Sequence, residues 1–193
     1  NDGANRIYGL SGDDCLYGGA LDDFIDGGAG DDRLYGYAGN DILQGASGVD
    51  TLADTTGNNL FNGGADNDVL YGGSGNEFYL GGAGNDAITT GLGYDLIAFN
   101  RGDGQDTVAA SAGRDNTLSL GGGIVYADLS LSRSANNLVL TTGANESLTF
   151  KDWYDSPTNH SVTSLQMVVE GSSDYDGASA DGSLNRNVAQ FDF

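Results

Sequence analysis

The chain has 193 residues, of which 33 are glycine and one is proline, and its 28 acidic residues against seven Lys plus Arg give a formal charge of −21. That balance argues against nucleic acid or an anionic membrane surface as a partner and makes cations the natural counterpart. Cys15, the single cysteine and here a small spacer, leaves no intrachain disulfide, thiolate zinc site or iron–sulfur cluster, and no run approaches the ~20 apolar residues of a membrane helix.

From the first residues the chain keeps an uninterrupted nine-residue period. Apolar residues at Ile7, Leu16, Ile25, Leu34, Leu43, Leu52, Phe61, Leu70, Tyr79, Ile88 and Ile97 mark eleven units in one register. Two residues before each stand Asn5, Asp14, Asp23, Asp32, Asp41, Asp50, Asn59, Asp68, Glu77, Asp86 and Asp95, and the dominance of aspartate makes this row the candidate ligand position. Two residues earlier again the row is glycine, with Leu21 and Asp66 as the exceptions. The clearest copies read GGAGDDRLY at 27–35 and GGAGNDAIT at 81–89.

Glycine allows positive φ and close backbone approach, so a tight turn can aim carbonyl oxygens at an ion while the aspartate adds charge. The residues that follow, with one inward apolar side chain, suffice for a very short strand. One buried apolar side chain per unit does not offset the entropy of ordering that unit, so the units must stack as a solenoid. Residues 1–98 also carry 16 acids against two arginines, a charge of −14 that opposes stacking until cations lie between the turns. Folding and divalent-cation binding are therefore expected as one event.

These units resemble the RTX nonapeptide, G-G-x-G-x-D-x-U-x. The resemblance implies an all-β fold: residues 1–98 as a parallel β-roll, a right-handed β-helix solenoid in which turns 18 residues apart stack and share roughly five to eight Ca2+ ions. It also implies the ligands. One ladder of carboxylates is Asp14, Asp32, Asp50, Asp68 and Asp86, and the other contains Asp23, Asp41 and Asp95. Carbonyls come from the turn glycines Gly12, Gly18, Gly27, Gly28, Gly30, Gly36, Gly39, Gly45, Gly48, Gly63, Gly64, Gly72, Gly73, Gly75, Gly81, Gly82, Gly84 and Gly93. In the second ladder Asn59 lacks a charge and Glu77 adds a methylene, so the sites around them are expected to be weak or empty. Asp54 and Asp66 occupy glycine positions, and Asp66 is expected to tolerate positive φ.

After Ile97 the period breaks. FNRGDGQDTV at 99–108 resembles the closing turn of such arrays, which makes 99–116 a terminal calcium turn and transition with Asp103 or Asp106 as last ligands. The adhesion-like tripeptide Arg101-Gly102-Asp103 is assigned to this turn. Alternating segments TLSL (117–120), IVYADLSLSR (124–133), NLVLTT (137–142), SLTFKDWY (147–154) and VTSLQMVVE (162–170) predict a C-terminal antiparallel β cap over 117–170, with a hairpin turn at Asn136-Asn137. Trp153 and Tyr154 are expected as its apolar anchors and His160 as a surface loop residue. Residues 171–193 are expected to be a flexible tail resembling part of a secretion signal, and the D-x-D-G string at Asp174–Gly177 lacks the later glutamate of an EF-hand.

Nothing here predicts an enzyme. A single histidine excludes an H-E-x-x-H zinc site, no G-x-S-x-G elbow occurs, and the only lysine, Lys151, follows Phe150 rather than the glycine of a P-loop. The chain opens inside a repeat, without an initiating Met or a signal peptide, and is expected to be an excerpt of a longer parent polypeptide. The resemblance implies a monomeric module, secreted or at the cell surface of a Gram-negative bacterium, whose partners are calcium, the rest of its parent and a type I secretion apparatus. The alternative is an adhesin, surface-layer or biofilm module, or the calcium-dependent end of a secreted toxin or hydrolase. Outward tyrosines Tyr8, Tyr17, Tyr35 and Tyr71 would form the adhesin's face, and they are read first as cover for the short strands.

Overall fold

The computed structural model describes residues 3–110, 116–169 and 187–192. The repeat region supplies β1 (Arg6–Ser11), β2 (Cys15–Ala20), β3 (Phe24–Ala29), β4 (Arg33–Ala38), β5 (Ile42–Ser47), β6 (Thr51–Ala53), β7 (Leu60–Ala65), β8 (Val69–Tyr71), β9 (Phe78–Ala83), β10 (Ala87–Thr89) and β11 (Leu96–Phe99). There follow β12 (Gln105–Val108), β13 (Thr117–Leu120), β14 (Ser130–Ser134), β15 (Asn137–Gly143), β16 (Glu146–Phe150), β17 (Ser164–Val169) and β18 (Asn187–Asp192). Odd-numbered repeat strands build one sheet, β1-β3-β5-β7-β9-β11-β13-β17-β18, and even-numbered ones the other, β14-β15-β16-β12-β10-β8-β6-β4-β2. The result is an all-β parallel solenoid of about six turns.

The register follows from the period. A side chain that recurs every nine residues returns to the same sheet every second unit, so Ile25 pairs with Leu43, Leu43 with Phe61 and Phe61 with Tyr79 in one sheet. Leu34, Leu52, Leu70 and Ile88 do the same in the other. Both columns face inward and are 0–1% exposed, while Ile7 and Leu16 in the first turn are only partly buried.

Past Ile97 the structure corrects the expected order. Parallel stacking does not stop there: Ile88 pairs with Val108, Ile97 with Leu118, Leu118 with Leu165 and Val108 with Phe150. TLSL and the strand within VTSLQMVVE therefore prolong the solenoid, and antiparallel pairing is confined to β14-β15-β16 and β17-β18. The segment read as one strand over 124–133 splits into a 3-10 turn at Tyr126–Asp128 and β14, whose side chains are all exposed. The hairpin turn lies one residue earlier than expected: Ser134 pairs with Asn137, and Ala135 takes φ 54°. Asn187–Asp192, expected within a flexible tail, is a strand antiparallel to β17, while Asp174–Gly177 lies outside the described residues.

Trp153 is buried against Phe150, but His160 is not a free surface residue. It is half-buried, its ring stacked on Trp153 at 4.3 Å and 11°, because the indole leaves one face open to the loop after Phe150. Tyr154 is 43% exposed, with the Arg133 guanidinium over its ring at 4.3 Å, so it anchors from outside rather than from within the core. Among the described residues no helix is long and apolar enough to cross a membrane.

Candidate metal centre

The sixth-position residues stand where one strand ends its turn and the next begins, and the solenoid stacks them into two columns. In the first column the backbone N–H of Asp14 donates to Asp32 Oδ1, that of Asp32 to Asp50, that of Asp50 to Asp68 and that of Asp68 to Asp86, each at 2.8 Å. In the second, the N–H groups of Asn5, Asp23 and Asp41 donate to Asp23, Asp41 and Asn59 at 2.6, 2.7 and 2.8 Å. The bond is missing between Asn59 and Glu77, whose longer side chain leaves both carboxylate oxygens without a partner, and resumes from Glu77 to Asp95 at 2.9 Å.

Both columns outlast the nonapeptides. Asp86 donates to Asp106 at 3.0 Å and Asp95 to Asn116 at 2.9 Å. The sequence offers Asp103 and Asp106 as alternatives. The fold places Asp106 in the first column, while Asp103 stands beside it and accepts locally from the Asn100 N–H at 2.7 Å. Asn116 was not singled out from sequence. Its signal is the triplet Asn116-Thr117-Leu118, which repeats the polar-x-apolar order of every unit once the nine-residue spacing is lost.

Apart from Asp14, which donates only, each aspartate of the columns accepts this bond on Oδ1, and Oδ2 of Asp14, Asp23, Asp32, Asp41, Asp50, Asp68, Asp86 and Asp95 has no hydrogen-bond partner although it is buried. A buried carboxylate oxygen with no donor is costly, so its surroundings show what it faces. They are the first-position glycines: a Cβ built on Gly18, Gly27, Gly45, Gly63 or Gly81 would fall on the Oδ2 of the aspartate five residues on. The same Cβ on Gly45 or Gly63 would lie 2.6 or 2.5 Å from the carbonyl oxygen of Gly63 or Gly81, one turn above. Over Gly36 the Asp41 Oδ2 is joined by Asp54 Oδ2 in place of a carbonyl, and over Gly72 the Tyr79 hydroxyl fills the space.

The remaining glycines let the backbone turns close on one another. A Cβ at Gly30, Gly48, Gly75, Gly84 or Gly93, or at Gly28, Gly64, Gly73 or Gly82, would overlap a carbonyl one turn below, and at Gly39 it would lie 2.5 Å from that of Leu21. Gly12, in the first turn, meets nothing within 4 Å. Asp66 stands at such a position with φ 77°, in keeping with the expected positive φ.

Stacked strands lie roughly 4.8 Å apart, so neighbouring unit charges in a column would repel by about 3 kcal/mol at an effective dielectric near 20. Burial drives the carboxyls up. Asp50 and Asp86 are pushed to about 6, Asp68 to about 7 and Asp106 to about 8, with acidic neighbours adding to desolvation and backbone N–H donors opposing it. Asp41 and Asp95 are raised for the same first cause, and Glu77, beside Asp95, is pushed to about 8.

A hard dication fits these turns. It would supply the missing partner for the free Oδ2 atoms and occupy space that only glycine leaves open. Among the described residues no three acidic, histidine or cysteine side chains cluster as a metal site, and a shell of six to eight oxygens would take the carbonyls that line the same space as well as the carboxylates. The fit yields a direct expectation for Gly45→Ala. The added methyl lands on Asp50 Oδ2 and against the Gly63 carbonyl, so overpacking of about 1–3 kcal/mol should remove or weaken one cation site, read as a lower stoichiometry in a calcium titration by calorimetry.

A second row of polar side chains escaped the sequence reading. On the outside, Asp13, Asp22, Asp31, Asn40, Asn58, Asn67, Asn76 and Asn85 accept, through Oδ1, the N–H of the residue one turn above at 2.7–3.0 Å. The donor points the opposite way from the inner columns, so each turn is clasped from both sides. The signal was the run of Asp and Asn at the fifth position of the unit, next to the candidate ligands.

The family profile of the RTX calcium-binding nonapeptide repeat (4 copies) matches residues 1–25, 17–52, 44–79, 53–88 and 80–97. No curated protein matches the chain.

Proposed function

Because the chain belongs to the RTX calcium-binding nonapeptide-repeat family and is a calcium-binding module of an RTX-type protein, we propose that calcium between its turns is what folds it after type I secretion. On this reading roughly five to eight ions lie between stacked turns, held by the sixth-position carboxylates and by carbonyls of the turn glycines, with Asp106 closing the first column. Calcium supplies fixed positive charge between carboxylates that otherwise repel. The chain supplies the rest: Oδ1 clasps the neighbouring turn, Oδ2 stays free for the ion, and the first-position glycine keeps the space open.

The observation that carries the reading is the row of buried Oδ2 atoms without a donor, those of Asp14, Asp23, Asp32, Asp41, Asp50, Asp68 and Asp86 each set over a glycine. Carbonyl-rich coordination favours Ca2+ over Mg2+, which keeps its water and demands near-octahedral geometry. Low calcium inside the cell would leave the repeats unfolded for export, and higher calcium outside would fold them. The chain would then serve as a secreted or cell-surface module of a Gram-negative bacterium, stabilising a longer parent and carrying no catalysis of its own.

The adhesin alternative rests on the outward tyrosines. Tyr17, Tyr35 and Tyr37 stack on one another, Tyr17 on Tyr35 at 5.3 Å and 10°, so their faces are spent on each other, which supports strand cover over a ligand platform. Calorimetry on calcium-stripped chain at neutral pH tests the main reading. Calcium should bind at several sites and magnesium at none of comparable strength; equal binding of both ions, or of neither, sinks it.

A further inference from the structure

In the regular unit the first position is glycine and the sixth is aspartate. The unit 54–62 keeps neither, with Asp54 first and Asn59 sixth. From the sequence this looks like double damage to the second column, a lost charge and an intruding side chain.

The geometry is different. Asn59 keeps the structural half of the aspartate's role, since its Oδ1 accepts the Asp41 N–H at 2.8 Å as an aspartate would. Asp54 is only 6% exposed. Its Oδ1 accepts from the N–H groups of Thr55 at 2.5 Å and Thr56 at 3.0 Å, which fixes the carboxylate against its own turn. Its Oδ2 has no hydrogen-bond partner and points back one turn, into the space over Gly36. Asp41 Oδ2, also unpartnered, faces the same space, and a Cβ built on Gly36 would meet both atoms. In the steps over Gly45 and Gly63 that second place is held by a backbone carbonyl, from Gly63 and Gly81.

We propose that the step between Gly36 and Asp54 is a calcium site with two carboxylates, in which Asp54, from the first position of its unit, joins Asp41 in the place that a backbone carbonyl holds over Gly45 and Gly63. This rests on the reading of the regular turns as calcium sites. Two buried anionic oxygens converge on one side-chain-free space without a donor between them, and a hard dication satisfies both at once. Two steps on in the same column the space over Gly72 is filled instead by the Tyr79 hydroxyl, which donates to the Thr90 carbonyl at 2.9 Å. There a neutral hydroxyl takes the place that Asp54 Oδ2 holds over Gly36. The column's irregular middle thus divides into a step with two carboxylate oxygens over its glycine and a step with a phenol hydroxyl there.

The test is calorimetric titration of calcium into the full chain and its variants, with circular dichroism to follow folding. Asp54→Gly returns this step to the single carboxylate of Asp41 and should bind one ion at least tenfold less tightly. Asp54→Asn, which keeps the side chain and removes its charge, should weaken the same ion. Asp66→Gly, at the other acid in a glycine place, should leave the isotherm unchanged. If Asp54→Gly fails to fold with calcium, Asp54→Asn carries the test, and one weakened ion in it lets the assignment stand. An unaltered isotherm in the variant that folds, as for a carboxyl pair that merely shares a proton, overturns it. Wild-type chain that binds no calcium would instead overturn the reading of the regular turns.

Discussion

Freed of calcium at pH 7.5, the chain is expected to show little β-structure by far-UV circular dichroism, and to gain it in one cooperative transition as calcium, but not magnesium, is added. The reason is the balance within each unit. One inward apolar residue, such as Leu43 or Leu52, is fully buried, yet it must hold nine residues in place. Against it stand two columns of buried carboxylates one strand spacing apart. No unit can bury its apolar side chain until its neighbours stack, and none can stack until the charge between turns is met, so ion binding and strand pairing rise together. A chain that keeps its full strand signal in calcium-free buffer would show that the stretch beyond Ile97 holds the roll unaided, and calcium would then be a secondary ligand. A gain in β-structure with magnesium equal to that with calcium would show that charge neutralisation alone suffices and that the carbonyl cage has no role.

The roll and its two columns were legible because a single number, the nine-residue period, decides both which residue faces inward and which turn lies above which. Asp32 meets Asp50, and Leu34 meets Leu52, by the same offset of 18. The region past Ile97 was less legible because that number changes while the local order does not. Asp106-Thr107-Val108 and Asn116-Thr117-Leu118 still place a polar side chain in the column and an apolar one in the core, but at offsets of 20 and 21 from their partners. A reading tied to the period ends the roll at Ile97, takes 99–116 for a closing turn and transition and places TLSL at 117–120 in a separate antiparallel cap. Tyr79 shows a second kind of miss. Its ring fills the apolar column against Phe61 at 5.1 Å, as the period requires, but its hydroxyl reaches the turn above, and that reach depends on the turn having no aspartate oxygen in the way. His160 is a third, since no local pattern announces that Trp153 will offer it a stacking face.

Acid should substitute in part for calcium. The buried carboxyls of the roll lie above their unfolded values of 3.8 for aspartate and 4.5 for Glu77, near 6 for Asp50 and Asp86, 7 for Asp54 and Asp68 and 8 for Glu77 and Asp106. Folding without an ion therefore takes up protons. By linkage the stability from this uptake is fully present below about pH 4 and is lost as pH rises through the folded values, between about 6 and 8. In resin-treated, calcium-free buffer the strand signal should thus grow as pH falls from 8 toward 5, with light scattering to separate folding from association as the charge falls toward the sequence pI of about 4.1. The same protons compete with calcium, so the calcium midpoint should rise on acidification, by roughly tenfold per pH unit for each proton displaced. A strand signal that weakens on acidification without calcium would mean that the column carboxylates are stabilised as anions by something other than a cation, and the electrostatic account of the calcium requirement would fail. A calcium midpoint independent of pH would place the ions away from these carboxyls, because only ligands that must shed a proton to bind can tie calcium affinity to pH across this window.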